Sequence, residues 1–138
     1  MDKSEILAAI NAGNKNTLME ALGIEFTDAY EGYVEAKMPV DYRTYQPMGL
    51  LHGGATAALA ETLGSVGSHM LIDREKEATV GIEINANHIK GVKSGWVTGK
   101  AEIQHKGRKL HVWNIDVYDE HENKIAVCRL TNMIIQKK

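Results

Sequence analysis

The sequence predicts an α+β protein in which one long central helix lies against an antiparallel sheet of five or six strands. Two observations carry this prediction. Residues 53–72 contain many helix formers and no proline, and strand-like segments joined by short turns flank them along the chain. Short connections suit antiparallel strands, whereas parallel strands need long crossovers. The chain has 138 residues, of which 43% are hydrophobic, so residues 1–138 are expected to form one domain with its own core.

An N-terminal helical segment, residues 1–22, is expected to precede the core of residues 23–136. Apolar residues recur at helical spacing on both sides of Gly13-Asn14, which indicates two short helices, and Gly23 ends the second. These helices are predicted at residues 4–12 and 16–22.

The strands are predicted from runs of alternating apolar and polar residues that end at turn-forming residues. One hairpin is expected before the central helix, followed by a loop over residues 41–49 that holds both prolines of the chain. Four strands are expected after the helix, the last two joined by the polar turn of residues 119–124. The predicted strands are residues 24–28, 33–40, 79–89, 95–106, 109–118 and 125–135.

Small and apolar residues surround much of the central helix. They are Ala55, Ala57, Ala58, Leu59, Ala60, Leu63, Val66, Met70 and Leu71. No face is polar enough to lie in solvent, so the helix is expected to be enclosed on most sides. The sheet can cover one side, and a second copy of the chain can cover another.

Glu61 is the one carboxylate in this helical run. Burial of an isolated carboxylate is costly, which favours a chemical role over a passive one. The structural alternative is a buried ion pair, but the positions three and four residues away hold no Lys or Arg. They are Ala57, Ala58, Gly64 and Ser65.

Three sequence motifs, taken together, resemble those of the hotdog-fold acyl-CoA thioesterases. They are Gln46-Pro-Met-Gly-Leu-Leu-His-Gly-Gly-Ala, Ala60-Glu-Thr-Leu-Gly-Ser and Gly81-Ile-Glu-Ile-Asn-Ala-Asn-His. The likeness runs over residues 23–135 and is greatest to the branch that acts on dihydroxynaphthoyl-, phenylacetyl- and hydroxybenzoyl-CoA. It implies a hotdog fold and hydrolysis of an acyl-CoA thioester that carries an aromatic or other bulky acyl group.

The same resemblance, position by position, implies a catalytic set. It comprises Gln46, Gly53, Glu61 and Ser65, with His52 matching the histidine that opens the helix. The chemistry agrees, because free N–H groups at a helix N-terminus can hold an oxyanion and Gly53 lets a substrate approach. Glu61 is the candidate base or nucleophile, and Ser65 lies one turn later. Taken alone, Gly53 also fits a plain loop-to-helix turn, and Gln46 fits a loop glutamine that faces solvent. Ser65 also fits a small serine that packs on the helix.

Substrate contacts are expected from five further residues: His88, Met48, Val66, Lys90 and Arg108. His88 ends a strand with apolar residues at alternate positions, so it is expected on the core side, near a ligand, although a strand-end histidine without a role fits equally well. Those positions are Val80, Ile82, Ile84 and Ala86. Lys90 and Arg108 flank strand ends and can meet the phosphates of coenzyme A, although surface cations usually serve solubility. Met48 and Val66 are expected to set the depth of the acyl pocket.

Several classes of function are disfavoured by the sequence. The net charge is −2 with no basic stripe, so nucleic acid is not an expected partner. Neither a signal-peptide pattern nor a run of about 20 apolar residues occurs, so a cytoplasmic protein without membrane contact is expected. No metal-ligand spacing is present, and Cys128 is expected to be a small buried residue. Coenzyme A is implied only as part of the substrate.

The spacing of Gly53 and Glu61 favours a shared site. Eight helical positions span about 12 Å, too far for both residues to reach one carbonyl. A two-fold homodimer with antiparallel central helices would bring Glu61 and Ser65 of one protomer to the partner's Gly53 and Gln46. The resemblance implies the same and often a dimer of dimers, a homotetramer. Two alternatives stay open: a hotdog hydratase or dehydratase, and a non-catalytic acyl-CoA sensor.

Overall fold

The computed structural model describes all residues 1–138 as three helices and a six-stranded antiparallel sheet. This confirms the predicted α+β class. The helices are α1 (Lys3–Ala12), α2 (Leu18–Leu22) and α3 (Gly53–His69). The strands are β1 (Glu25–Tyr30), β2 (Tyr33–Pro39), β3 (Glu77–His88), β4 (Trp96–Lys106), β5 (Leu110–Asp119) and β6 (Lys124–Gln136).

The sheet order is β1-β2-β4-β5-β6-β3, and every neighbouring pair is antiparallel. Strands β1 and β3 are therefore its edges. Along β5 the residues alternate between buried and half-buried, so Trp113, Ile115 and Val117 point into the core beneath α3. The prediction of an antiparallel sheet of five or six strands with one long helix against it rests on this period-two pattern and is confirmed.

Helix α3 buries one face against its own sheet. Leu59 and Leu63 are fully buried, and Gly67 lets the helix approach closely, since a Cβ there would overlap the Trp113 ring. The opposite face is only half-buried or exposed. It includes Gly54, Ala57, Ala58, Glu61, Thr62, Ser65 and His69. Within one chain the sheet covers only one side of α3, as predicted, and cover of another side by a second copy of the chain stays a prediction.

The N-terminal helices pack beside the edge strand β1. The Asn11 side chain donates to the Phe26 carbonyl at 3.1 Å and accepts from the Phe26 N–H at 2.8 Å, as a neighbouring strand would. Buried Asn14 donates to the Ile24 carbonyl at 3.0 Å. These bonds occupy part of an edge that would otherwise be free to pair with other chains.

Strand β3 departs from the predicted alternation. Its pairing with β6 shifts between Gly81 and Glu83, which makes Ile82 the extra residue of a β-bulge. The bulge reverses the alternation, so Gly81 faces the helix while Val80 and Ile82 stay 41% and 50% exposed. The expectation that Val80 and Ile82 face the core is therefore wrong. Beyond the bulge, Ile84 and Ala86 pack against the core as predicted.

Candidate active site

His52 caps the N-terminus of α3. Its backbone is extended, and its Nδ1 accepts a hydrogen bond from the Gly54 N–H at 2.7 Å. Gly53 is the first helical residue, so its N–H has no partner within the helix, and it forms no other backbone hydrogen bond. The capped turn therefore leaves the Gly53 N–H as a free donor at the positive end of the helix dipole.

Gln46 lies half-buried in the preceding loop, and its amide orientation is defined. The Gln46 N–H donates to the Leu50 carbonyl at 2.8 Å, and Gln46 Oε1 accepts from the Met48 N–H. Because Oε1 is used in this way, the Nε2 group remains as the free donor of the side chain.

Gln46, Gly53, His88 and Lys90 line one cleft of about 310 Å³. The imidazole of His88 lies directly against the helix N-terminus, since a Cβ on Gly53 would be only 3.0 Å from His88 Nε2. The absence of a side chain at Gly53 thus leaves room for the His88 ring. The cleft combines the free amide of Gln46 and the free N–H of Gly53 with an apolar wall that includes Leu50, Leu51, Ile89, Val92 and Ile125.

Glu61 does not reach this cleft, and it is not buried. Its side chain is exposed on α3 and takes part in no salt bridge. One carboxylate oxygen lies over Gly81 of β3. The single chain does not bury this carboxylate, because it lies over β3, the edge of the sheet, with no further strand beyond it. Ser65 lies one turn later on the same side and is half-buried.

The remaining predicted contact residues are dispersed. Met48 is 81% exposed in the loop, whereas Val66 is half-buried and packs on the core. Lys90 bonds to Asp119 at 3.2 Å, and Arg108 lines a different cleft, near the end of α3. Hydrogen bonds from the Asn123 backbone first, and then from the Asn123 side chain and Lys90, lower the pKa of Asp119 to about 2.

A buried polar network beneath α3 was missed by sequence reasoning. Ser68 Oγ accepts from Trp113 Nε1 at 2.8 Å and from Asn132 Nδ2 at 2.9 Å, and it pairs with His111 Nδ1 at 2.8 Å. Asn132 Nδ2 also donates to the Gly64 carbonyl at 3.2 Å. Burial lowers the pKa of His111, so this histidine favours its neutral form. His111 and Trp113 on β5 and Asn132 on β6 lie at inward positions of the alternating strand pattern, which is a signal that they are buried. That they contact one another and Ser68 depends on the fold and could not be predicted.

The structure also describes the residues relevant to metal binding, to the single cysteine and to membrane insertion. No group of three or more His, Cys, Asp or Glu residues is arranged to hold a metal ion. Cys128 is buried as predicted, and burial raises the pKa of its thiol to about 11. None of the three helices combines the length and apolar character needed to cross a membrane.

Comparison with known proteins relates the chain to enzymes of one superfamily. Residues 48–126 match the family model described as Thioesterase superfamily. The proofreading thioesterase EntH of Klebsiella pneumoniae is 48% identical over 129 residues, which are 94% of this chain and 93% of that protein.

Solved structures give the same relationship. A mutant of thioesterase PA1618 from Pseudomonas aeruginosa superposes with a TM-score of 0.93 at 42% identity, over 95% of this chain and 94% of that one. Thioesterase HI1161 from Haemophilus influenzae gives a TM-score of 0.90 at 43% identity, over 94% and 90% of the two chains. The sheet and its central helix are those of the hotdog fold that the sequence motifs imply.

Proposed function

Because this chain belongs to the thioesterase superfamily, we propose that it is a thioester hydrolase that cleaves acyl-CoA with an aromatic or other bulky acyl group, giving the free acid and coenzyme A. One observation carries the proposal. The free N–H of Gly53 and the free amide of Gln46 line one cleft at the start of a helix that also bears an unpaired carboxylate, Glu61.

The Gly53 N–H and the Gln46 side-chain amide polarise the thioester carbonyl. Attack on a thioester carbonyl places negative charge on its oxygen, and preorganised N–H donors stabilise that charge. Gly53 N–H sits at a helix N-terminus, where the dipole adds to the effect. Gln46 Nε2 serves the same oxygen or the attacking water.

Glu61 acts as a general base or as the nucleophile. As a base it takes a proton from water while the new C–O bond forms, and the proton passes to the coenzyme A sulfur as the C–S bond breaks. As a nucleophile it first forms an anhydride with release of the thiol, and water then hydrolyses the anhydride. Ser65, one turn along α3, holds the water in either route.

The site needs a second copy of the chain. Gly53 and Glu61 are about 12 Å apart along the axis of α3, yet both must come within about 3 Å of one carbonyl. The half-buried face of α3 and the exposed apolar residues Val80 and Ile82 on the edge strand β3 offer a surface for pairing. In a two-fold dimer, Glu61 and Ser65 of one protomer face the partner's Gly53 and Gln46, and two such dimers form the homotetramer.

Substrate contacts are assigned by position. His88 and Lys90 line the cleft beside Gly53, where the thioester and the pantetheine arm lie. The exposed Met48 and the half-buried Val66 flank the acyl group. Arg108, in the turn between β4 and β5, is assigned to the coenzyme A phosphates. The mechanism requires no metal or redox cofactor.

The test is thiol release from benzoyl-, phenylacetyl-, dihydroxynaphthoyl- and straight-chain acyl-CoA, with the free acid measured in parallel. We expect turnover of at least one aromatic thioester with a higher kcat/KM than any straight-chain substrate. Preference for the straight chains would refute the acyl class, and no hydrolysis of any thioester would refute the function.

The shared site has its own test. Glu61→Gln and the double variant Gln46→Ala/Gly53→Ala should each be inactive alone but regain activity when refolded together. Random pairing makes half of the dimers mixed, each with one intact site, so about a quarter of wild-type activity is expected. Each variant refolded alone is the control. Absence of recovery, while native mass spectrometry detects mixed dimers, would place the whole site within one chain.

A further inference from the structure

We propose that Gly81 is a positioning residue for Glu61, because its lack of a side chain determines where the Glu61 carboxylate lies. The inference rests on the proposed function, in which Glu61 is the reacting group. A Cβ built on Gly81 would lie 2.8 Å from Glu61 Oε2 and 3.6 Å from Glu61 Cδ. The carboxylate therefore occupies the space that any other residue at position 81 would fill.

The backbone does not itself require glycine at this position. Gly23, Gly32, Gly49 and Gly95 have positive φ angles, and Gly81 does not. Alanine at position 81 is thus free of backbone strain, and what it changes is the space above β3. The bulge at Ile82 is what turns Gly81 toward the helix, so the bulge and the glycine act together to make room for the carboxylate.

The added methyl group would displace Glu61 and not the other wall of this space. That wall is Asn132, which pairs with Gly81 across β3 and β6 and whose Oδ1 lies 3.6 Å from the Cβ position. Asn132 is fully buried and tied to α3 through Gly64 and Ser68. The tip of Glu61, by contrast, is exposed and has no salt-bridge partner, so it is the group that moves.

The size of the displacement sets the expected effect. Ordinary van der Waals contact begins at 3.4 Å, so Glu61 Oε2 must move by about 0.6 Å or more from its place 2.8 Å from the new methyl carbon. Misplacement of a catalytic group by about 1 Å can lower turnover by about 10²-fold. We expect Gly81→Ala to lower kcat by about 10- to 100-fold, with KM within about 2-fold and little change in stability.

The experiment measures the effect of Gly81→Ala on kcat in two backgrounds, one with the native Glu61 and one with Glu61→Asp. Glu61→Asp shortens the side chain by one methylene and withdraws the carboxylate from the contact. Gly81→Ala should therefore cost about 10- to 100-fold in kcat beside the native Glu61, but less than about 3-fold in the Glu61→Asp background. The control is Gly13→Ala, which adds the same methyl group at a negative φ of −69° at the end of α1. It should change neither kcat nor KM.

Several outcomes would overturn the inference. They are a Gly81→Ala variant that keeps more than a third of the wild-type kcat, an equal loss in both Glu61 backgrounds, and a loss of activity that follows a fall in melting temperature or in dimer content. Light scattering and thermal unfolding measure the last of these. If the wild-type chain hydrolyses no thioester, the proposed function fails by itself. Crystal structures of wild type and Gly81→Ala then decide the geometric claim: a carboxylate shifted by more than about 0.5 Å supports it, and an unmoved carboxylate overturns it.

Discussion

Ser68→Ala should destabilise the fold strongly, because the Ser68 hydroxyl is the centre of the buried network beneath α3. The oxygen accepts N–H bonds from Trp113 and Asn132, which occupy both of its lone pairs, so its own hydrogen points to His111 Nδ1. His111 must then be neutral, with its hydrogen on Nε2.

The magnitude follows from the groups that lose their partner. Removing the hydroxyl leaves the Trp113 N–H and the His111 Nδ1 unpaired, at 0% and 2% residue exposure. Asn132 Nδ2 keeps its bond to the Gly64 carbonyl. Each buried unpaired group costs about 1–3 kcal/mol, so the expected loss is about 2–6 kcal/mol, out of a typical total stability of about 5–15 kcal/mol.

Urea unfolding at fixed protein concentration, followed by tryptophan fluorescence and circular dichroism, measures this loss. The matched control is Ser65→Ala, the same change one turn earlier on α3 at a half-buried position. It should alter the free energy of unfolding by no more than about 0.5 kcal/mol. A Ser68→Ala variant as stable as the control would refute the bonding scheme.

Three further predictions concern the chemistry and its pH dependence. Glu61→Gln keeps the side-chain volume and should retain less than about a tenth of the wild-type kcat. The control, Glu75→Gln in an exposed turn, should keep full activity. A higher residual kcat in Glu61→Gln would show that Glu61 is not the central catalytic group. Gln46→Ala should lower kcat by about 10- to 1,000-fold in steady-state assays with a smaller change in KM, and a raised KM at unchanged kcat would make Gln46 a binding contact only. Burial lowers the pKa of His111, so the stability that its neutral form contributes is present above the unfolded pKa of about 6.5 and is lost as the pH falls below it. His111→Gln should therefore lose less stability between pH 7 and pH 5 than wild type; an equal loss would assign the effect to other groups such as His69, whose pKa is also lowered by burial.

The helices and strands could be predicted because their signals are local. The period-two pattern of β5 and the glycine that ends α2 act over a few neighbouring residues. The backbone hydrogen-bond donors of the cleft could also be predicted, since a His-Gly-Gly turn at the start of a helix implies free N–H groups. Contacts between segments that are distant along the chain could not be predicted. The bulge at Ile82 exists only in the register of β3 with β6, and the network at Ser68 joins residues more than 40 positions apart.

In the single chain, residues at and over the edge strand β3 are more exposed than their sequence pattern suggests, for two physical reasons. Glu61 was expected to be buried, and Val80 and Ile82 were expected to face the core, yet all three are exposed in the single chain. The Glu61 carboxylate lies over Gly81 on the helix side of the edge strand β3. Val80 and Ile82 are exposed because the bulge at Ile82 reverses the alternation of the strand. A pattern of small and apolar residues records burial in the assembled protein, whichever chain supplies the cover. In the proposed dimer, the partner's Gly53 and Gln46 would cover Glu61 on the helix side of this edge, which is the burial that the pattern around α3 predicts.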